Sequence, residues 1–154
     1  MSHSDTDGPL PANDPTLTDL RPTLDLLMPI RRHRLTMAEQ AWQRHRNVLH
    51  ALAQRLESMS QDLQKMREHH RHSRQQERDR HANRTLALSE MNDWLAGEQQ
   101  ALYRIERHEV QLKTLREQYR QQQQWTDDSQ QQVRRRQRDV EKLDYLSELA
   151  QEAS

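Results

Sequence analysis

Cysteine is absent from all 154 residues, and so is phenylalanine. The first absence excludes a disulfide framework, a cysteine-ligated metal site and thiol chemistry. The second leaves three Trp and three Tyr as the only aromatic residues, too few for a large aromatic core. Glycine occurs twice, at Gly8 and Gly97, so no glycine-rich phosphate loop can be written anywhere in the chain. Long apolar runs are missing as well: stretches such as Leu26-Leu27-Met28 are far short of the roughly 20 residues that a membrane-spanning helix needs. The opening MSHSDTDGPL has neither the basic nor the apolar region of a signal peptide, which makes the cytoplasm the expected compartment.

Apolar side chains make up 32% of the chain and charged ones 31%, so a compact globule with a thick core is not expected. What is abundant is helix-forming: 20 Gln, with Arg, Glu, Leu and Ala. All five prolines (Pro9, Pro11, Pro15, Pro22 and Pro29) lie in the first 29 residues. A flexible N-terminal arm over residues 1–29 is therefore expected, because proline removes a backbone donor and crowds the preceding turn. From Ile30 to Ser154 there is no proline and one glycine, so helix is permitted almost without interruption.

The formal net charge is zero but unevenly spread. Residues 1–30 carry one Arg against five Asp, residues 31–85 carry thirteen Lys/Arg against six acids, and residues 86–154 carry ten against thirteen. The basic middle and the acidic last block favour lying side by side.

Heptad spacing sets the architecture. Leu35, Trp42, Leu49, Leu56 and Leu63 recur every seven residues, and Ala38, His45, Leu52, Met59 and Met66 follow three places behind, as the a and d lines of a coiled coil. Arg67 to Arg84 holds a single apolar side chain, Ala82, and the seam is not expected to continue through it in the same way. A second pair of lines opens at Met91: Met91, Glu98, Ile105, Leu112, Tyr119, Thr126, Val133 and Val140 at a, with Trp94, Ala101, His108, Leu115, Gln122, Ser129, Arg136 and Leu143 at d. The expected fold is all-α, a long antiparallel two-helix coiled-coil hairpin, with helix 1 over about 30–82, a turn over about 83–88 and helix 2 over about 89–152. Asn83 suits the turn, and Thr85 or Ser89 suits the cap of the second helix. Because Leu63 and Met91 share one heptad frame, a single uninterrupted helix in a parallel homodimer, serving as a structural scaffold or adaptor, stays open on the sequence alone.

Catalysis is not expected, since the carboxylates are scattered over solvated helix faces and two helices enclose no pocket. His69, His70, His72 and His81 cluster, but no close carboxylate pair completes four ligands, so neither a metal nor any other cofactor is predicted. The basic runs Arg31-Arg32-His33-Arg34 and Arg134-Arg135-Arg136 lack interleaved aromatics, which counts against nucleic acid. In a hairpin they approach each other as a positive collar suited to an acidic protein partner. Leu88, Leu95 and Leu102 form an additional apolar line at e positions beside Met91 and Trp94, wider than one partner helix covers, to be covered by the N-terminal arm of another copy, by a different protein or by a short third segment of the same chain, with binding favoured over the last. Near Leu143, the apolar residues Tyr145, Leu146 and Leu149 are expected to be covered by Leu26, Leu27 and Ile30.

Three stretches resemble a known family: Leu26-Leu27-Met28-Pro29-Ile30-Arg31-Arg32-His33-Arg34 followed by Ala38-Glu39, then Leu88-Ser89-Glu90-Met91-Asn92-Asp93-Trp94, then Glu141-Lys142-Leu143-Asp144-Tyr145-Leu146. Together they are similar to the stalk proteins of bacterial type III secretion, the YscO/HrpO family, which in turn resemble the flagellar protein FliJ. The resemblance implies a non-enzymatic central stalk, cytoplasmic and peripheral to the inner-membrane export apparatus. Its implied partners are the hexameric secretion ATPase, the cytoplasmic domain of the export-gate protein, and export chaperones. Carried onto this chain, it implies an ATPase-facing set of Arg31, Arg32, Arg34, Lys142, Tyr145 and Leu146. It also implies a gate-facing patch of Leu88, Met91, Trp94, Leu95 and Leu102.

Overall fold

The computed structural model describes residues 15–82 and 84–153. Two helices account for nearly all of them: α1, Pro15–His81, and α2, Leu88–Ala153, with no strand among the described residues. The chain gathers into two compact units, one formed by Asn47–Gln124 and the other by Met1–Arg46 with Trp125–Ser154. Each consists of a stretch of α1 packed antiparallel on a stretch of α2, which is the pairing expected from the heptads.

Within the Asn47–Gln124 unit the chain reverses between the helices. Arg84 N–H donates to His81 O at 3.2 Å, closing the end of α1, and Met91 N–H donates to Ala87 O at 3.0 Å, opening α2. Ala87 therefore occupies the cap position of α2. The expected caps are displaced: Thr85 precedes the helix, and Ser89 already lies inside its first turn beside Glu90. Arg78, Arg80 and His81 fill the last turn of α1, where cations are favoured by the helix dipole. Asn83, the expected pivot, lies outside the described residues. This break between Pro15–His81 and Leu88–Ala153 rules out the uninterrupted helix.

The core of this unit is Leu63, Ile105 and Leu112, with Leu56, Met59 and Met66 packed against them. All six sit on the predicted a and d lines. The seam does not stop at Met66. His70, Ser73 and Glu77 continue its frame as partly buried residues at the same spacing, so beyond Met66 the seam changes from apolar to polar, in keeping with the expectation that it would not continue in the same way. His70 and Glu77 hold these positions through hydrogen bonds to Glu98 and His81, since a buried polar group is tolerated when it finds a partner.

The other unit corrects the boundary of the N-terminal arm. Residues 15–29, expected to be flexible, form the first turns of α1, and Pro22 and Pro29 lie inside the helix. Residues 1–14 of the expected arm lie outside the described residues. Pro15 opens the helix at a position where the missing donor costs nothing. Pro22 and Pro29 are seven residues apart and both exposed, so each interrupts the hydrogen-bond ladder on the solvent side, where water can satisfy the freed carbonyl. On the opposite side Leu24 is buried with Leu143 and Ala150, and Leu27 and Met28 pack onto them. Burial of such side chains contributes about 1.5–3 kcal/mol each, which offsets the roughly 3 kcal/mol cost of an interior proline. Leu24 and Met28 thus cover Leu143, whereas two of the three residues expected there, Leu26 and Ile30, point to solvent.

Candidate interaction surfaces

The start of α2 carries the surface flagged by the extra apolar line. Leu88 is 75% exposed, and Met91, Leu95 and Leu102 are each nearly half exposed, all within the Asn47–Gln124 unit. Leu88, Leu95 and Leu102 repeat every seven residues and so share one side of the helix. Trp94 belongs elsewhere. It is half-buried and lines a groove of about 370 Å³ together with Met66, Ser73, Gly97 and Ala101, on the other side of the seam. The five predicted gate-facing residues therefore split into an exposed line of four and an indole set between the helices. Gly97 and Ala101 present little side chain beside the indole, and a Cβ built at Gly97 meets nothing within 4 Å.

Polar contacts hold the seam beneath this surface. His70 donates from Nε2 to Glu98 Oε1 at 2.8 Å, and Arg74 Nε lies 3.2 Å from the same oxygen. One helical turn towards the core, Arg67 forms an ion pair with Glu109 at 2.8 Å. His108 donates from Nε2 to the Met59 carbonyl at 3.1 Å, so a histidine at a d position is anchored to the facing backbone. The sequence reading missed what lies beside these pairs. Arg67, Arg71, Arg74 and Arg78 line a single groove of about 390 Å³ into which Leu102 also projects. The signal was present in the spacing, since four arginines at intervals of four, three and four residues lie along one side of a helix.

In the unit formed by Met1–Arg46 and Trp125–Ser154, the six predicted ATPase-facing residues take different environments. Arg31 is half-buried and donates from its guanidinium to the Asp139 carbonyl at 3.2 Å, so it is committed to the helix pairing. Arg32 stands outside, 3.6 Å from Asp144, with both side chains more than half exposed. Arg34 and Lys142 are exposed, Tyr145 is 62% exposed and Leu146 is at the margin of exposure. With Arg31 opposite Asp139, three residues further along α1 reaches Arg34 and three back along α2 reaches Arg136, so the two basic runs do approach each other. Thr126, buried at an a position, donates its hydroxyl to the His45 carbonyl at 3.3 Å. Arg46 covers the face of Trp42, 4.8 Å from the ring centroid.

No helix is long and apolar enough to cross a membrane among the described residues. Comparison with protein families, with curated proteins and with solved structures finds no match. The class of the chain is thus defined by its own geometry: paired antiparallel helices with exposed apolar and basic faces.

Proposed function

We propose that the chain is a non-enzymatic central-stalk component of a type III protein secretion system, coupling the export ATPase ring to the export gate and handling export chaperones. The observation that carries this reading is the uncovered line Leu88, Met91, Leu95 and Leu102 directly beyond the turn, where the resemblance to the secretion stalk family places the gate contact. Exposed leucines at heptad spacing are costly to leave in water unless a partner covers them. The exposure of Arg32, Arg34, Lys142 and Tyr145 in the other unit supports an ATPase-facing role for it. On this reading the mechanism needs no chemistry from the chain. A single helical pair seated in a six-fold ring contacts the subunits unequally and so biases ring assembly and nucleotide turnover.

The test is co-purification with a type III secretion ATPase, followed by a hydrolysis assay with and without the chain. Co-purification of the two proteins with increased turnover is expected. Unchanged hexamer assembly together with unchanged turnover defeats the proposal. For the gate contact, Leu95→Ala with Leu102→Ala is expected to weaken capture by the export-gate cytoplasmic domain at unaltered helicity, and retained capture removes that assignment.

A further inference from the structure

The apolar line at the start of α2 does not stand alone. Within the same unit its Leu102 shares a groove with the arginine stripe of α1, Arg67, Arg71, Arg74 and Arg78, and Leu95 and Leu88 follow on that side of α2 at a repeat of seven. The partnering of the arginines differs in a way that matters. Arg67 and Arg74 are paired with Glu109 and Glu98 across the helix interface. Arg71 and Arg78, seven residues apart and exposed, have no ion-pair partner among the described residues. The flank therefore presents Leu88, Leu95 and Leu102 at a repeat of seven beside two unpaired arginines at a repeat of seven.

We propose that this flank docks an acidic amphipathic helix from another protein, packing it as a third helix against the pair. The inference rests on reading the Leu88–Leu102 line as a docking surface, and it specifies the chemistry of the occupant. A heptad line of leucines is what a helix reads with its own a and d side chains. It spans about 20 Å at 1.5 Å per residue, the length of four turns of a partner. The arginines at its edge select for Glu or Asp on the flanking positions of that partner, where charge complementarity sets orientation and excludes wrong partners. A second copy meeting the same face supplies no acidic side chain from its own leucine line or from Arg71 and Arg78, and in an antiparallel two-fold contact it sets the two arginine edges side by side, which is repulsive. A nucleic acid would pair with the arginines but leave the leucines against a polyanion with no aromatic surface to stack on. A lipid surface calls for a broad apolar face, whereas this one is a narrow line interrupted by charge.

The experiment uses the full chain and a pair of labelled synthetic helical peptides. Both carry leucine at heptad spacing, one with glutamates at the flanking positions and the other with lysines there, and binding is followed by fluorescence anisotropy. Saturable binding of the glutamate peptide alone is expected. Arg71→Glu with Arg78→Glu is expected to weaken it by about tenfold or more and to admit the lysine peptide, and Leu95→Gln with Leu102→Gln to abolish both. Circular dichroism controls for helicity; all four positions are exposed, so the variants are expected to fold. Absence of saturable binding, equal binding of the two peptides, or binding indifferent to the arginine reversal overturns the proposal. So does a preference of the wild-type chain for phosphatidylcholine vesicles containing phosphatidylglycerol, or for duplex DNA, over the glutamate peptide. Failure of the ATPase experiment with retained peptide binding removes the secretion reading alone, whereas gate capture without peptide binding removes this inference alone.

Discussion

His70 and Glu98 face each other across the helix pair, 2.8 Å apart, each at an a position of its own heptad line. Their side chains are only 12% and 17% exposed, so the pair is little screened by water. Arg74 reaches the same carboxylate oxygen from the outer side. A layer that a leucine ladder would fill with methyl groups is filled here by a hydrogen-bonded triad, which specifies register because a slipped pairing leaves the carboxylate buried without donors.

Glu98→Leu is therefore expected to destabilise the Asn47–Gln124 unit by about 1–3 kcal/mol, because His70 and Arg74 lose their acceptor. His70→Leu combined with Glu98→Leu is expected to recover most of that loss by restoring an apolar layer. Thermal denaturation of the two single variants and the double variant reads the coupling, and strict additivity would refute the triad as a unit.

Leu63 and Leu95 separate the core from the surface. Leu63 is 4% exposed among Ile105 and Leu112, and its replacement by Ala is expected to cost about 2–4 kcal/mol. Leu95→Ala is expected to stay within about 0.5 kcal/mol of the parent. Chemical denaturation followed at the helical signal distinguishes the two, and equal losses would mean that Leu95 is covered in the free chain.

The helical run through Pro22 and Pro29 depends on Leu24. Leu24→Asp puts a charge against Leu143 and Ala150 and is expected to unwind the start of α1. Hydrogen exchange should then show lost amide protection over residues 20–30. Pro29→Ala acts in the opposite sense, restoring one backbone bond, and is expected to raise protection in the same stretch.

Arg31 and Arg32 are adjacent in sequence and opposite in role. Arg31→Ala removes the side-chain donor that ties α1 to the Asp139 carbonyl and is expected to cost about 1 kcal/mol. Arg32→Ala breaks only an exposed ion pair with Asp144 and is expected to shift stability by less than about 0.5 kcal/mol. An ATPase contact, in contrast, should respond to Arg32→Ala more than to Arg31→Ala, as measured by pull-down with the hexamer.

Much of this arrangement was legible in the chain itself. The a and d lines through Leu35 to Met66 and through Ile105 to Leu143 are the residues that pack, because a two-helix interface admits only a stripe repeating at 3.5 residues. The same frame, run backwards past the prolines, reaches Met28 at a and Leu24 at d, which are the residues that cover Leu143. Proline concealed this extension, since its local penalty is visible in sequence while the compensating burial is not. The frame run forwards reaches His70, Ser73 and Glu77, concealed in turn by polarity.

Helix type, the seam-facing lines and the additional leucines of α2 follow from composition and period alone. These are properties of a one-dimensional pattern: a seven-residue repeat states which side of a helix must be covered, whereas the choice between an antiparallel hairpin and one uninterrupted helix was made only by the break between Pro15–His81 and Leu88–Ala153. Which polar groups are satisfied was decided only by the tertiary pairing. Nothing in the order of residues says that Glu98 meets His70 and Arg74, or that the Arg31 guanidinium reaches the Asp139 carbonyl while Arg32 pairs outside with Asp144. Those outcomes depend on which atoms arrive within about 3 Å of one another across the interface, a distance that sequence spacing along one helix does not contain.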